Sequence, residues 1–109
     1  MSSQQYIEEI KKELSENAIL LYAKGTKEQP RCGFSAATIE ILKSYNLPFE
    51  VRDVLMNPDK KEALKEFSQW PTIPQLYVKG ELIGGCDITR ELHETGELKE
   101  IFAGISNTN

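Results

Sequence analysis

Of the side chains able to do covalent or metal chemistry, Cys32 has the most suggestive surroundings. It follows a polar segment, residues 24–31, that carries the breakers Gly25 and Pro30, and it precedes Gly33-Phe34-Ser35. From residue 33 to about 45, Phe34, Thr38, Ile41, Leu42 and Tyr45 fall on one helical face, so Cys32 stands where a loop turns into a helix. The first N–H groups of a helix are unpaired and carry partial positive charge, so a thiolate there is stabilised and its pKa falls. Gly33 leaves room for another backbone or a ligand to approach. The competing reading is an inert buried cysteine; the polar neighbours Pro30 and Arg31 favour exposure. Position 35, where a Cys-x-x-Cys pair would place its second thiol, holds Ser35. Cys32 must then recruit an external thiol, use the distant Cys86, or do something other than disulfide exchange. Cys86 itself reads as an inert small residue, a slow resolving thiol or a metal ligand. His93 is most simply a surface residue, and Trp70 a packing residue that holds the loop before Pro74.

These residues need a scaffold, and the chain alternates between helix and strand patterns. Ile7, Ile10 and Leu14 form one apolar stripe over residues 4–16, and residues 18–22 are a continuous apolar run, as in a strand buried on both faces. Asn46-Leu47-Pro48 ends the helix after Cys32, and residues 49–54 form a second strand. Asn57-Pro58 has the form of a cap followed by proline at the first helical position, opening a helix to about residue 67. Strands at 75–78 and 81–83 are joined by Lys79-Gly80 as a tight hairpin. Asp87 is expected to cap a last helix to about residue 95, with a closing turn over 98–102 and a frayed tail at 106–109. The order αβαβαββα predicts an α/β domain: a four-stranded mixed sheet, with a parallel pair plus an antiparallel hairpin, flanked by helices in a thioredoxin-like fold.

Bulk composition narrows the classes. A chain of 109 residues is one domain, here with a core of about residues 6–102, and can bury a core without disulfides. The formal net charge of −4 argues against nucleic-acid and anionic-membrane partners. No apolar run approaches the roughly 18 residues of a membrane span, and no export or import segment is visible, so a reducing cytoplasm is the expected location.

Lys24-Gly25-Thr26, Cys32-Gly33-Phe34-Ser35, Trp70-Pro71-Thr72-Ile73-Pro74-Gln75 and Gly84-Gly85-Cys86-Asp87, in this order, resemble the monothiol, CGFS-type glutaredoxins in their short bacterial form. The long loop between Lys24 and Cys32 also resembles this class. The resemblance implies a glutathione site that includes Gly33 and Phe34, with Lys24 and Lys61 near the glycine carboxylate. The family often has Arg where Lys61 stands, and Lys cannot make the same planar, bidentate contact. Local rules alone make Ile73–Pro74 trans; the resemblance makes it cis, so that Thr72 and Ile73 grip an extended peptide in short β-strand fashion. The N–H groups at Gly85, Cys86 and Asp87 would take the γ-glutamyl carboxylate, and Asp87 the ammonium.

A [2Fe-2S] cluster needs four thiolates, and one copy of this chain offers one well-placed cysteine. The resemblance implies a homodimer bridged by the cluster, with two Cys32 thiolates as metal ligands and two glutathiones supplying the rest. Cys32 plus Cys86 from each chain also counts to four. By the same resemblance, a BolA-type protein and apo iron–sulfur proteins are the expected partners. The alternative function is a glutathione-dependent thiol-disulfide oxidoreductase that uses Cys32 to remove glutathione from proteins.

Overall fold

The computed structural model describes residues 2–106. Its elements run α1 (Ser3–Glu16), β1 (Ile19–Ala23), α2 (Gly33–Lys43), β2 (Glu50–Asp53), a 3-10 turn (Val54–Met56), α3 (Pro58–Ser68), β3 (Gln75–Val78), β4 (Glu81–Gly84), α4 (Cys86–Thr95) and α5 (Glu97–Ile101). The strands form one sheet in the order β2-β1-β3-β4. β1 pairs with β2 in parallel and with β3 antiparallel, and β3 with β4 make the expected hairpin. Lys79 and Gly80 both have positive φ, 53° and 81°, the twist that a two-residue turn needs to match its strands.

β1 is central and wholly buried, and its alternation explains the two-sided core. Ile19, Leu21 and Ala23 meet Ile39 and Leu42 of α2 and Leu98 and Phe102 at the C-terminal end. Leu20 and Tyr22 face the other way, toward Ile10 and Leu14 of α1 and Leu64 of α3. On α1 the buried stripe is Tyr6, Ile10 and Leu14. Ile7, expected in that stripe, is only half-buried at its edge.

Helix ends follow local chemistry. Ser2 and Gln5 make a reciprocal capping box: Ser2 Oγ accepts the Gln5 N–H at 3.3 Å and Gln5 Oε1 accepts the Ser2 N–H at 2.7 Å. Asn57 caps α3 as expected, accepting the Lys60 N–H at 3.3 Å ahead of Pro58. Between α1 and α3, Lys60 Nζ lies 2.6 Å from Glu9 and 2.7 Å from Glu13, with its side chain 12% exposed. Glu13 also accepts the Tyr22 hydroxyl at 2.6 Å. Burial, helped by that carboxylate, pushes the Tyr22 phenol far up and keeps it neutral.

Three expectations change. The buried face of α2 is Ser35, Thr38, Ile39 and Leu42, whereas Phe34 is 60% exposed. Hydroxyls line part of this face because each has a local partner: Thr38 Oγ1 donates to the Phe34 carbonyl at 2.8 Å. Asp87 does not cap α4; the cap residue is Gly85, and Asp87 sits in the first turn with its carboxylate 3.6 Å from Arg90. The expected closing turn is the short helix α5, started by Gly96 at φ +87° and carrying the fully buried Leu98. Of the tail expected at 106–109, residues 107–109 lie outside the described residues.

Leu64 has no exposed surface and joins β1 to α3. Leu64→Ala is expected to lower unfolding stability by about 2–5 kcal/mol, from lost transfer energy plus the remaining cavity. Urea denaturation followed by circular dichroism measures this.

Candidate functional site

Cys32 is the N-cap residue of α2, with extended backbone (φ −145°, ψ 136°), and its side chain makes no capping hydrogen bond. Ionisation changes that balance. The Ser35 backbone N–H pulls the Cys32 thiol below its ordinary pKa; partial burial opposes this, while the Phe34 N–H, the Lys24 cation and the Ser35 hydroxyl add to it. Cys32 is half-exposed and unpaired, as the reactive reading requires.

The loop before it is closed rather than slack. The Arg31 N–H donates to the Lys24 carbonyl at 2.9 Å, and Gly25 bridges to Pro30. Gly25 has φ +97°, and a Cβ there would lie 2.5 Å from both the Arg31 nitrogen and the Gln29 oxygen. Ser35 Oγ accepts the Lys24 N–H at 3.0 Å, and Asp53 Oδ1 accepts the Gly25 N–H at 3.0 Å and the Leu55 N–H at 2.9 Å.

A cleft of about 500 Å³ opens beside Cys32. Lys24 and Phe34 border it on the thiol side, and Lys61 and Lys65 of α3 line another wall. Its floor includes Thr72, Ile73 and Pro74, and the start of α4 contributes Gly85, Cys86 and Asp87. The Ile73–Pro74 bond is cis, as the resemblance and not the local rule anticipated. Ten of the eleven candidate site residues thus share one cleft; Gly33 does not line it. A Cβ on Gly33 would meet nothing within 4 Å, so no packing inside the chain demands glycine there. Among the described residues, no ion pair engages Lys24 or Lys61, whereas Lys65 is held by Glu62 at 3.0 Å.

Cys86 is 6% exposed, with its sulfur 3.4 Å from the Arg90 guanidinium as an acceptor. Among the described residues, no group of three or more His, Cys, Asp or Glu side chains could hold a metal ion. His93 is exposed and hydrogen-bonded to the Tyr45 hydroxyl at 2.6 Å, away from the cleft lining.

Three residues that shape the site were not singled out for this work in the sequence. Gln75 has no exposed surface; its amide donates to the carbonyls of Trp70 at 3.1 Å and Thr72 at 3.3 Å, and its carbonyl accepts the Tyr77 hydroxyl at 3.0 Å. It thereby moulds the segment that presents Thr72 and Ile73. Its signal is a polar amide opening an otherwise apolar strand. In the sequence, Ser35 stands out only as a missing thiol, and Asp53 falls inside the expected strand over 49–54. Trp70 lines the cleft, with its indole nitrogen buried and near Gly85, where an added Cβ would lie 3.7 Å from it.

One low-pKa thiol at a helix start, sharing a cleft with a cis-proline on a mixed four-stranded sheet, defines a thiol-bearing domain of thioredoxin-like fold. The glutaredoxin family profile matches residues 19–83. A probable monothiol glutaredoxin 2 of Rickettsia felis is 47% identical over 104 residues, covering 95% of this chain and all of that protein. Glutaredoxin 4 of Haemophilus influenzae (strain 86-028NP) is 47% identical over 100 residues, covering 92% of this chain and 94% of its own. The solution structure of reduced poplar apo GrxS14 superposes with a TM-score of 0.77 at 48% identity, over 85% of each chain. The chain belongs to the glutaredoxin family, and with Ser35 in place of a second active-site thiol its likeness is to the monothiol members.

The ionisation of Cys32 gives a direct check. Because the folded chain favours the thiolate, this group adds stability above the ordinary thiol pKa, and that contribution is lost as pH falls through the lowered value. Iodoacetamide labelling of Cys32, followed by mass spectrometry, should show a rate midpoint at lower pH in the folded chain than in urea. Cys86 should stay unlabelled until the chain unfolds. Gly25→Ala should move the Cys32 midpoint back toward the ordinary value, since the loop that carries Lys24 must shift.

Proposed function

We propose that this chain binds glutathione in the cleft beside Cys32 and, paired with a second copy, carries a [2Fe-2S] cluster for delivery to apo iron–sulfur proteins. Family membership assigns it to glutathione-linked redox chemistry. The observation that carries the finer reading is the contrast between its two thiols. Cys32 is accessible and inclined to ionise, whereas Cys86 is buried with its sulfur engaged by Arg90.

Glutathione is a tripeptide with two carboxylates, one ammonium and one thiol. Against a net charge of −4, an anionic ligand needs local cations. Lys24 and Lys61 supply them, with no ion pair competing among the described residues, and the unpaired N–H groups opening α4 at Cys86 and Asp87 suit a second carboxylate. Thr72 and Ile73, beside the cis Ile73–Pro74 bond in the cleft lining, would present backbone groups to the ligand.

The donor set fits the cluster only in part within one chain. A [2Fe-2S] centre takes four thiolates and one chain presents one, so the cargo calls for two chains and two glutathione thiols. Cys32 would hold one iron position from each subunit. Phe34, exposed beside it, would lie near the partner. Ligation that depends on an exchangeable small molecule favours release, which suits a carrier. A BolA-type protein and apo iron–sulfur proteins are the partners this reading calls for.

A second reading is favoured by the lowered pKa of Cys32. Its thiolate attacks the glutathione sulfur of a protein mixed disulfide, releasing the protein thiolate and forming a Cys32–glutathione disulfide. A second glutathione thiolate then cleaves that bond, yielding glutathione disulfide and the Cys32 thiolate.

Anaerobic reconstitution with iron, sulfide and glutathione, followed by visible absorbance and sizing, separates the two. The expected result is glutathione-dependent colour and a dimer, lost in Cys32→Ser and kept in Cys86→Ser. Turnover of a glutathionylated peptide without any cluster formation would replace the carrier reading with the oxidoreductase one.

A further inference from the structure

β1 stops pairing at Ala23, whose register partner on β2 is Asp53. Lys24 and Gly25 lie just beyond the ladder, where their N–H groups need other acceptors. Both acceptors are side chains. Ser35 Oγ, on a residue with no exposed surface, takes the Lys24 N–H at 3.0 Å. Asp53 Oδ1 takes the Gly25 N–H at 3.0 Å while also holding the Leu55 N–H at 2.9 Å. The Lys24 carbonyl accepts the Arg31 N–H at 2.9 Å, and Arg31 is covalently joined to Cys32. The backbone of Lys24 is therefore fixed to the start of α2 by two routes, one through Ser35 and one through Arg31.

We infer that Ser35 is a positioning residue for Lys24: its buried hydroxyl, with the Asp53 carboxylate as a second anchor, sets where the Lys24 ammonium stands relative to Cys32. The inference rests on the proposed function, because it takes Lys24 as a cation for glutathione. It also gives Ser35 a role distinct from the thiol it lacks. A thiol at this position would be a far weaker acceptor for a backbone N–H. Replacing Ser35 by Cys would thus add a second thiol and loosen Lys24 in one step. The same hydroxyl also bears on the Cys32 sulfur, so one side chain is coupled to both groups.

The test is a double-mutant cycle between Ser35→Ala and Lys24→Ala, read by calorimetric binding of S-methylglutathione, which has no thiol to exchange with Cys32. In the wild-type background Lys24→Ala should weaken binding about tenfold, as for one lost charge-assisted hydrogen bond. In the Ser35→Ala background the same change should cost less than about threefold, because Lys24 no longer stands in place. Hydrogen exchange at the Lys24 amide should speed up at least about tenfold in Ser35→Ala and Ser35→Cys, since its acceptor is removed or weakened. Asp53→Ala, which leaves α2 untouched, should speed exchange at Gly25 and partly reproduce the binding loss. An undiminished tenfold effect of Lys24→Ala in the Ser35→Ala background, or unchanged exchange at the Lys24 amide, would overturn the inference while the glutathione reading stands. If Lys24→Ala has no effect even in the wild-type background, the role of Lys24 in the proposed function falls, and this inference with it.

Discussion

The first turn of α2 begins with backbone N–H groups that no helical carbonyl can satisfy, and the residue placed to receive them ends in sulfur rather than oxygen. A serine or aspartate there would close the helix at once. A neutral thiol does not, and the unmet demand is relieved when the proton leaves. The chemistry of Cys32 is in this sense a capping defect put to use. It works because α2 is held rigidly: Ile39 and Leu42 are buried against β1, and Ser35 and Thr38 are satisfied internally. The central strand, the helix it aims and the electrostatics at the sulfur form one chain of causes.

The second constraint is charge. The whole molecule repels anions, so attraction must be local and protected from internal competition. Most lysines with close carboxylates lie elsewhere: Lys60 is held between Glu9 and Glu13, and Lys11 and Lys43 pair on exposed helix surfaces. Lys24 and Lys61 are left unpaired among the described residues and face the cleft.

Much of this was legible from the chain. Continuous apolarity gave away β1, Asn57-Pro58 announced α3, Lys79-Gly80 announced the hairpin, and four separated motifs converged on one cleft. The first three signals are local, so pattern alone reaches them; that the four motifs share a site is what the family resemblance implies. What escaped depends on how the backbone turns and what it brings together, not on residue type alone. Gln75 looked like the first residue of a strand, yet its amide shapes a loop that ends just before it. Asp87 has the right side chain for a cap, but Gly85 takes the cap position as the chain leaves β4, which puts Asp87 inside the first turn. On α2, Phe34 is 60% exposed while Ser35, one residue on in the same turn, takes the fully buried position, a rotation of the face that the apolar pattern does not show. The anchors of Lys24 and Gly25 come from residues 11 and 28 positions away, a relation that no motif expresses.

Helix α1 lies outside the stretch matched by the family profile, which begins at residue 19. Yet it covers Leu20, Tyr22 and Leu64 from one side and brings Glu13 to both Lys60 and the Tyr22 hydroxyl. Without it, that apolar face would meet solvent, and Lys60 would lose both carboxylates that hold it. The smallest segment that can be recognised as this family and the smallest segment that can stand as a closed body are thus different lengths. Anyone grafting the domain into a fusion should place the junction by that second measure, ahead of the Ser2 cap rather than at the first matched strand.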